Sequence, residues 1–196
     1  MQTRILALIT LWIGFSVLTA ENARAAALEV TLDPSKSSVQ FSVGAVLHTV
    51  HGKFNVKSGI LHFDPTTGNS SGQIVVDVQS GKTGIGERDR QMQQNILESQ
   101  QYPEATFLPD HITGKISLEG EYQVAVHGNL RIHGQNHEVT FPAKVKAEQG
   151  RITATTSLPV PYVDWGMKDP STFLLKVNKT VDLEIRLEGT LHQERP

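Results

Sequence analysis

Apolar and polar residues alternate along most of this chain. From Ser38 to Val43 the apolar positions Val39, Phe41 and Val43 recur at every second residue, with Ser38, Gln40 and Ser42 on the other side. This is the spacing of a strand that buries one face. The next run keeps the period: Val50, Phe54 and Val56 share a face with His48 and Gly52, while Thr49, His51, Lys53 and Asn55 point away. Ile74, Val76 and Val78 alternate with polar neighbours. So do Tyr122, Val124, Val126, Leu130 and Ile132, with His127, Arg131 and His133 facing outward. Val139, Phe141, Ala143 and Val145 continue the pattern, followed by Ile152, Ala154 and Leu158. The cleanest run is the last, in which Val177, Val181, Leu183, Ile185, Leu187 and Leu191 alternate against Asp182, Glu184, Arg186 and Glu188. Glu29 to Leu32 reads as a short strand and Gly59 to Phe63 as a further run, while Thr106 to Ile112 and Lys115 to Leu118 are weaker candidates.

About ten strand candidates at short spacing leave little room for crossover helices, which argues for an antiparallel sheet. A long antiparallel sheet protects its edges best by closing on itself. The expected fold is therefore all-β, an extended antiparallel β-barrel. Its inward face consists almost wholly of Val, Ile, Leu, Phe and Ala, and a barrel of about eight strands either fills its interior with side chains or holds one small ligand there.

Two stretches depart from the alternation. Thr83 to Phe107, dense in Arg, Gln, Glu and Met, reads as the one inserted α-helix, with Ile85, Met92 and Ile96 near a single helical face and Pro103 ending the helical possibility. Such a segment either packs on the outside of the sheet or gates the barrel. As a gate it turns Ile85, Met92, Ile96 and Leu97 toward the pore or its rim. Arg88 and Arg90 suit an anionic head group or ordinary surface pairing with Glu87 and Asp89. The second stretch, Ser157 to Phe173, carries the ladder-breaking Pro159 and Pro161 and gathers Tyr162, Trp165, Met167 and Phe173. It is either a wide turn that plugs one barrel end or a mouth whose aromatics contact an apolar ligand, with Lys168 near a polar head.

The N-terminus changes the picture of where the chain works. Arg4 precedes an uncharged apolar run from Ile5 to Ala20, and Ala23 and Ala25 supply small residues for cleavage, so residues 1–25 are expected to be a secretory signal peptide. Residues 26–196 then form one domain, in the periplasm or secreted. The chain has no Cys, which excludes a disulfide framework and thiol chemistry. A formal net charge of -2 without a basic block gives no reason to expect nucleic acid. Eight His residues raise the question of a metal, which needs three or four converging ligands. His48 and His51 fall on opposite faces of a strand, and about 20 Å of strand separates His127 from His133, so no metal site is assigned. His48 and His137 share a register with apolar residues. No nucleophile elbow, nucleotide fingerprint or paired-carboxylate motif is present, and no catalytic residue is assigned.

Several words spread over residues 32–189 carry a resemblance. LDPSKSSVQFSV at Leu32 to Val43, TGIGERDRQM at Thr83 to Met92 and QYPEATF at Gln101 to Phe107 lie in the first half. GNLRIHGQNHEVTFP at Gly128 to Pro142, DWGM at Asp164 to Met167 and VDLEIRLEG at Val181 to Gly189 lie in the second. Together they resemble the YceI-like polyisoprenoid-binding proteins. The resemblance implies a lipocalin-like barrel in the periplasm with a long apolar pore for an isoprenoid chain, such as a quinone tail or polyprenyl phosphate. The chain departs from the family in having Lys36 and Gln91 where His is common and Trp165 where Phe is usual, which bears on head-group preference.

The expected ligand contacts are the inward strand positions Phe41, Val43, Phe54, Ile74, Val76, Phe107 and Phe141, with His48 and His137. The insertion adds Ile85, Arg88, Met92, Ile96 and Leu97, and the aromatic stretch adds Tyr162, Trp165, Met167 and Phe173. The expectation is a non-enzymatic binder or carrier of an isoprenoid or similar amphiphilic lipid, without a cofactor, not membrane-spanning, and a monomer or homodimer. Two alternatives stand beside it: an enzyme acting on a lipid-like substrate through His48 or His137, and a stress-related or metal-linked structural protein.

Overall fold

A computed structural model describes residues 27–193; the expected signal peptide, residues 1–25, lies outside the described residues. The first four strands are β1 (Leu28–Leu32), β2 (Ser38–Gly44), β3 (Thr49–Phe63) and β4 (Ser70–Lys82). A short helix α1 (Gly86–Gln91) and a π-helical turn (Met92–Ile96) follow. The remaining strands are β5 (Glu104–Thr113), β6 (Gly120–Ile132), β7 (Gln135–Glu148), β8 (Arg151–Val160) and β9 (Val181–Gln193). The sheet runs β3, β2, β9, β8, β7, β6, β5, β4 and closes where β4 pairs with β3. Every pairing is antiparallel.

The barrel has eight staves although it has nine strands, because β1 and β2 lie end to end in one stave. Both pair with β3 on one side and β9 on the other: Val30 lies opposite Leu61 and Leu191, and Phe41 opposite Gly52 and Leu183. The interruption is a turn built by Asp33 and Ser37. The Asp33 carboxylate accepts from the Ser35 amide at 3.0 Å. The buried Ser37 hydroxyl donates to the Asp33 carbonyl at 2.9 Å and accepts from the Glu188 amide at 3.0 Å. A side chain thus supplies ladder bonds where the backbone leaves the wall.

Two strand expectations need correction. The runs around Phe54 and Gly59 are one continuous strand, β3, whose register with β4 shifts at Lys53/Asn55 and at Val56/Ser58; bulges of this kind bend a strand without ending it. Lys115 to Leu118 is not a strand but part of the turn between β5 and β6. Val177 sits ahead of β9, in an isolated bridge with Ala45.

The two longest connections, residues 83–103 and 161–180, lie at one end of the barrel, called here the helix end, together with the turn of residues 45–48. β7 and β8 pair only over Lys144–Glu148 and Arg151–Thr155, beside their turn at the opposite end, and part toward the helix end. Pro142 has no N–H to continue the ladder, and its carbonyl instead accepts the Thr156 hydroxyl at 2.7 Å. The opening is packed by Tyr162 and Met167 against Leu158, Val160, Ile96 and Leu97. At the opposite end Leu28, Val30, Leu32 and Phe63 form a second buried cluster.

Candidate functional site

The barrel encloses a cavity of about 330 Å³, within the usual range of about 300 to 1,000 Å³ for a ligand site. Val30, Leu61 and Ile116 line it near the far end, Val124 and Ala143 at mid-height, and Val43, Phe54 and Val181 near the helix end. The lining is apolar apart from His62, Ser70, Thr156 and the two tyrosines Tyr122 and Tyr162. This follows from the period-two alternation of the strands, since inward positions on every stave belong to one continuous surface.

Most of the expected strand contacts meet here. Phe41, Val43, Phe54, Ile74, Val76, Phe107 and Phe141 all line the cavity. The rings of Phe41 and Phe54 lie 5.2 Å apart on the neighbouring strands β2 and β3, and those of Phe107 and Phe141 lie 5.4 Å apart across β6, which separates β5 from β7. The alternation also placed Leu130, Val181 and Leu183 inward, and they join the lining. Ile116, Pro170 and Ser70 join it too, from positions in or beside turns, where no periodicity marks an inward side chain.

The insertion contributes its second half. The Thr83 amide donates to the Asp89 carboxylate at 2.7 Å, and the Thr83 hydroxyl donates to the same oxygen. Those hydrogen bonds hold the Asp89 carboxyl below its ordinary pKa. The Arg88 guanidinium donates to the Thr83 hydroxyl at 2.8 Å. These contacts clasp α1 to the end of β4. The Gln93 amide donates to the Val78 and Gly81 carbonyls at 3.0 and 3.1 Å and pins the π-helical turn, in which Leu97 N–H reaches Met92 O at 2.9 Å. Such wide turns recur at functional sites. Here Met92, Ile96 and Leu97 line the cavity.

Six expected contacts do not reach it. Ile85 precedes α1 and is exposed, and Arg88 is engaged with Thr83. His48 lies in an exposed turn that β3 has not yet entered, where the strand register no longer sets its direction. Phe173 is 93% exposed. His137 and Trp165 stack at 3.9 Å with nearly parallel rings. Neither lines the cavity; the loop that turns Tyr162 and Met167 inward lays the indole against the imidazole. Burial holds the His137 pKa below its ordinary value, which favours the neutral ring. The enzyme reading thereby loses both of its candidate groups from the cavity.

Two hydroxyls in the lining, Tyr162 Oη and Ser70 Oγ, are buried without a hydrogen-bond partner. Burial, reinforced by the negative charge of Asp169, pushes the Tyr162 pKa up to about 12. The phenol therefore stays protonated and can donate one hydrogen bond at the helix end of an apolar chamber.

A family model for the YceI-like domain matches residues 30–189. The chain belongs to the YceI-like family. A UPF0312 protein of Pseudomonas putida strain W619 is 27% identical over 189 residues, covering 90% of this chain and 93% of the relative. A UPF0312 protein of Vibrio cholerae is 25% identical over 178 residues, covering 85% and 88%. Among solved structures, Burkholderia cenocepacia BcnA superposes with a TM-score of 0.66 at 23% identity, covering 81% of this chain and 99% of its own. A polyisoprenoid binding domain from Saccharophagus degradans, implicated in plant cell wall breakdown, superposes at 0.64 with 18% identity, covering 85% and 98%. These likenesses show the same YceI-like barrel fold.

Proposed function

We propose that this protein is a non-enzymatic periplasmic carrier that holds the tail of an isoprenoid, or of a similar long amphiphile, inside the barrel. The observation that supports this reading is the largely apolar lining, from Val30 at one end to Val181 at the other, with few polar groups along it. A solved relative of the same fold is described as a polyisoprenoid binding domain, and the leader-like pattern of Arg4 to Ala25 suits an exported protein. No helix among the described residues is long and apolar enough to cross a membrane.

The magnitudes fit. At about 0.8 kcal/mol per buried methylene, an isoprene unit gains on the order of 3 to 4 kcal/mol. Association costs of about 4 to 15 kcal/mol are met by a few such units, so affinity needs no elaborate polar site. The Tyr162 hydroxyl is the group best placed to meet a carbonyl or phosphate oxygen of the head. Native mass spectrometry of protein purified from the periplasm, followed by organic extraction, tests the reading. A bound isoprenoid or comparable amphiphile is expected; protein that carries none and takes up neither a polyprenyl quinone nor a polyprenyl phosphate would overturn it.

A further inference from the structure

Nine large apolar side chains stand exposed among the described residues, and six of them lie at the helix end. Five of those six sit on two neighbouring loop tips. Val46 and Leu47 occupy a turn in which the Ala45 amide donates to the His48 carbonyl. Phe173 and Leu174 occupy another, closed by the Thr172 amide on the Leu175 carbonyl at 2.7 Å, with Leu175 beside them. The tips are bound to each other: Ala45 bridges Val177, the Val46 amide donates to the Lys176 carbonyl, and the Asn178 amide donates to the Gly44 carbonyl. Phe173 and Leu174 are 93% and 87% exposed, far more than a water-facing turn requires.

This patch continues the cavity wall outward. Val43 lines the cavity just before the first tip, and Pro170 and Val177 line it on either side of the second. Around the tips, the loop of residues 161–180 carries Lys168, Lys176 and Lys179 against Asp164 and Asp169. An apolar tip on a loop that carries one more lysine than aspartate matches an anionic bilayer surface.

We propose that the paired tips dock on the surface of an anionic bilayer, bringing the helix end of the barrel against the membrane where an amphiphile passes into or out of the cavity. The inference rests on the carrier reading for its purpose, and on the tips alone for its evidence. The test is flotation of the purified protein with vesicles of phosphatidylethanolamine and phosphatidylglycerol, and with vesicles of phosphatidylcholine alone. Wild type is expected to float with the anionic vesicles. The double variant Phe173→Ser, Leu174→Ser should bind roughly 10- to 100-fold more weakly with an unchanged circular dichroism spectrum, since both side chains face solvent. Lys176→Glu with Lys179→Glu should reduce binding to anionic vesicles only. Wild type that stays with the soluble fraction, or serine variants that float equally well, would overturn the docking. So would a dimer that the serine variants split and that no vesicle retains, because the occupant would then be a second copy. Protein that floats with the vesicles, yet as purified carries no isoprenoid or comparable amphiphile and takes up neither a polyprenyl quinone nor a polyprenyl phosphate, would remove the carrier reading and leave the docking standing.

Discussion

Gly52 shows how a single side-chain hydrogen shapes the cavity wall. It points inward on β3 opposite Phe41, and a Cβ there would lie 2.2 Å from the Phe41 ring and 2.7 Å from the Lys82 carbonyl. The ring can lie across the wall only because Gly52 has no side chain. Gly52→Ala is expected to lower unfolding stability by about 1 to 3 kcal/mol, read from the denaturant midpoint, and to weaken lipid retention as Phe41 shifts into the cavity. His127 shows the opposite case of a residue whose environment lies across strands. Alternation makes it an outward His, and the structure sets it between Asp110 at 2.5 Å and Glu138 at 2.9 Å. Those two hydrogen bonds, Asp110 first, raise its pKa. A raised folded-state pKa contributes stability that is complete below the unfolded value and fades as pH rises through the folded one. Wild type should therefore melt above His127→Gln at pH 5, with the gap closing as the pH is taken through neutrality into the alkaline range.

At the scale of the element, the insertion does two jobs in sequence. Its first half, α1, has no buried residue and holds its place through the Thr83, Arg88 and Asp89 contacts. Its second half turns Met92, Ile96 and Leu97 onto the cavity, with Ile96 and Leu97 against the Tyr162 to Met167 loop that packs where β7 and β8 part. The apolar spacing made the segment a helix candidate, but the five-residue reach from Leu97 to Met92 was hidden in it, because an α-turn and a π-turn demand nearly the same residues. Met92→Asp with Ile96→Asp should abolish retention of a bound lipid and leave the β signal in circular dichroism intact. Retention by that variant would mean that the insertion only packs against the barrel.

For the whole molecule, closure into eight staves makes the interior one chamber rather than two faces of a sheet. A chamber of this kind measures its ligand by length. Titration with quinones of increasing tail length should show affinity rising with each isoprene unit, by at most about 3 to 4 kcal/mol per unit, and then levelling once the cavity is full. An affinity independent of tail length would place the ligand's binding energy in the head group and argue against the cavity as the tail site.

The sequence by itself determined the strands' inward faces and hence the composition of the cavity wall. A strand's two faces follow from period-two alternation, a property of neighbouring residues that needs no knowledge of the fold. Phe41, Phe54, Phe107 and Phe141 were legible for that reason. Only the tertiary structure decided the fate of residues outside the strands, where no period of two sets direction: His48 and Phe173 face solvent, Arg88 binds Thr83, and Trp165 lies on His137. It also decided that β1 and β2 share one stave, since both must find free edges of β3 and β9, and those edges exist only once strands distant in the chain have closed the barrel.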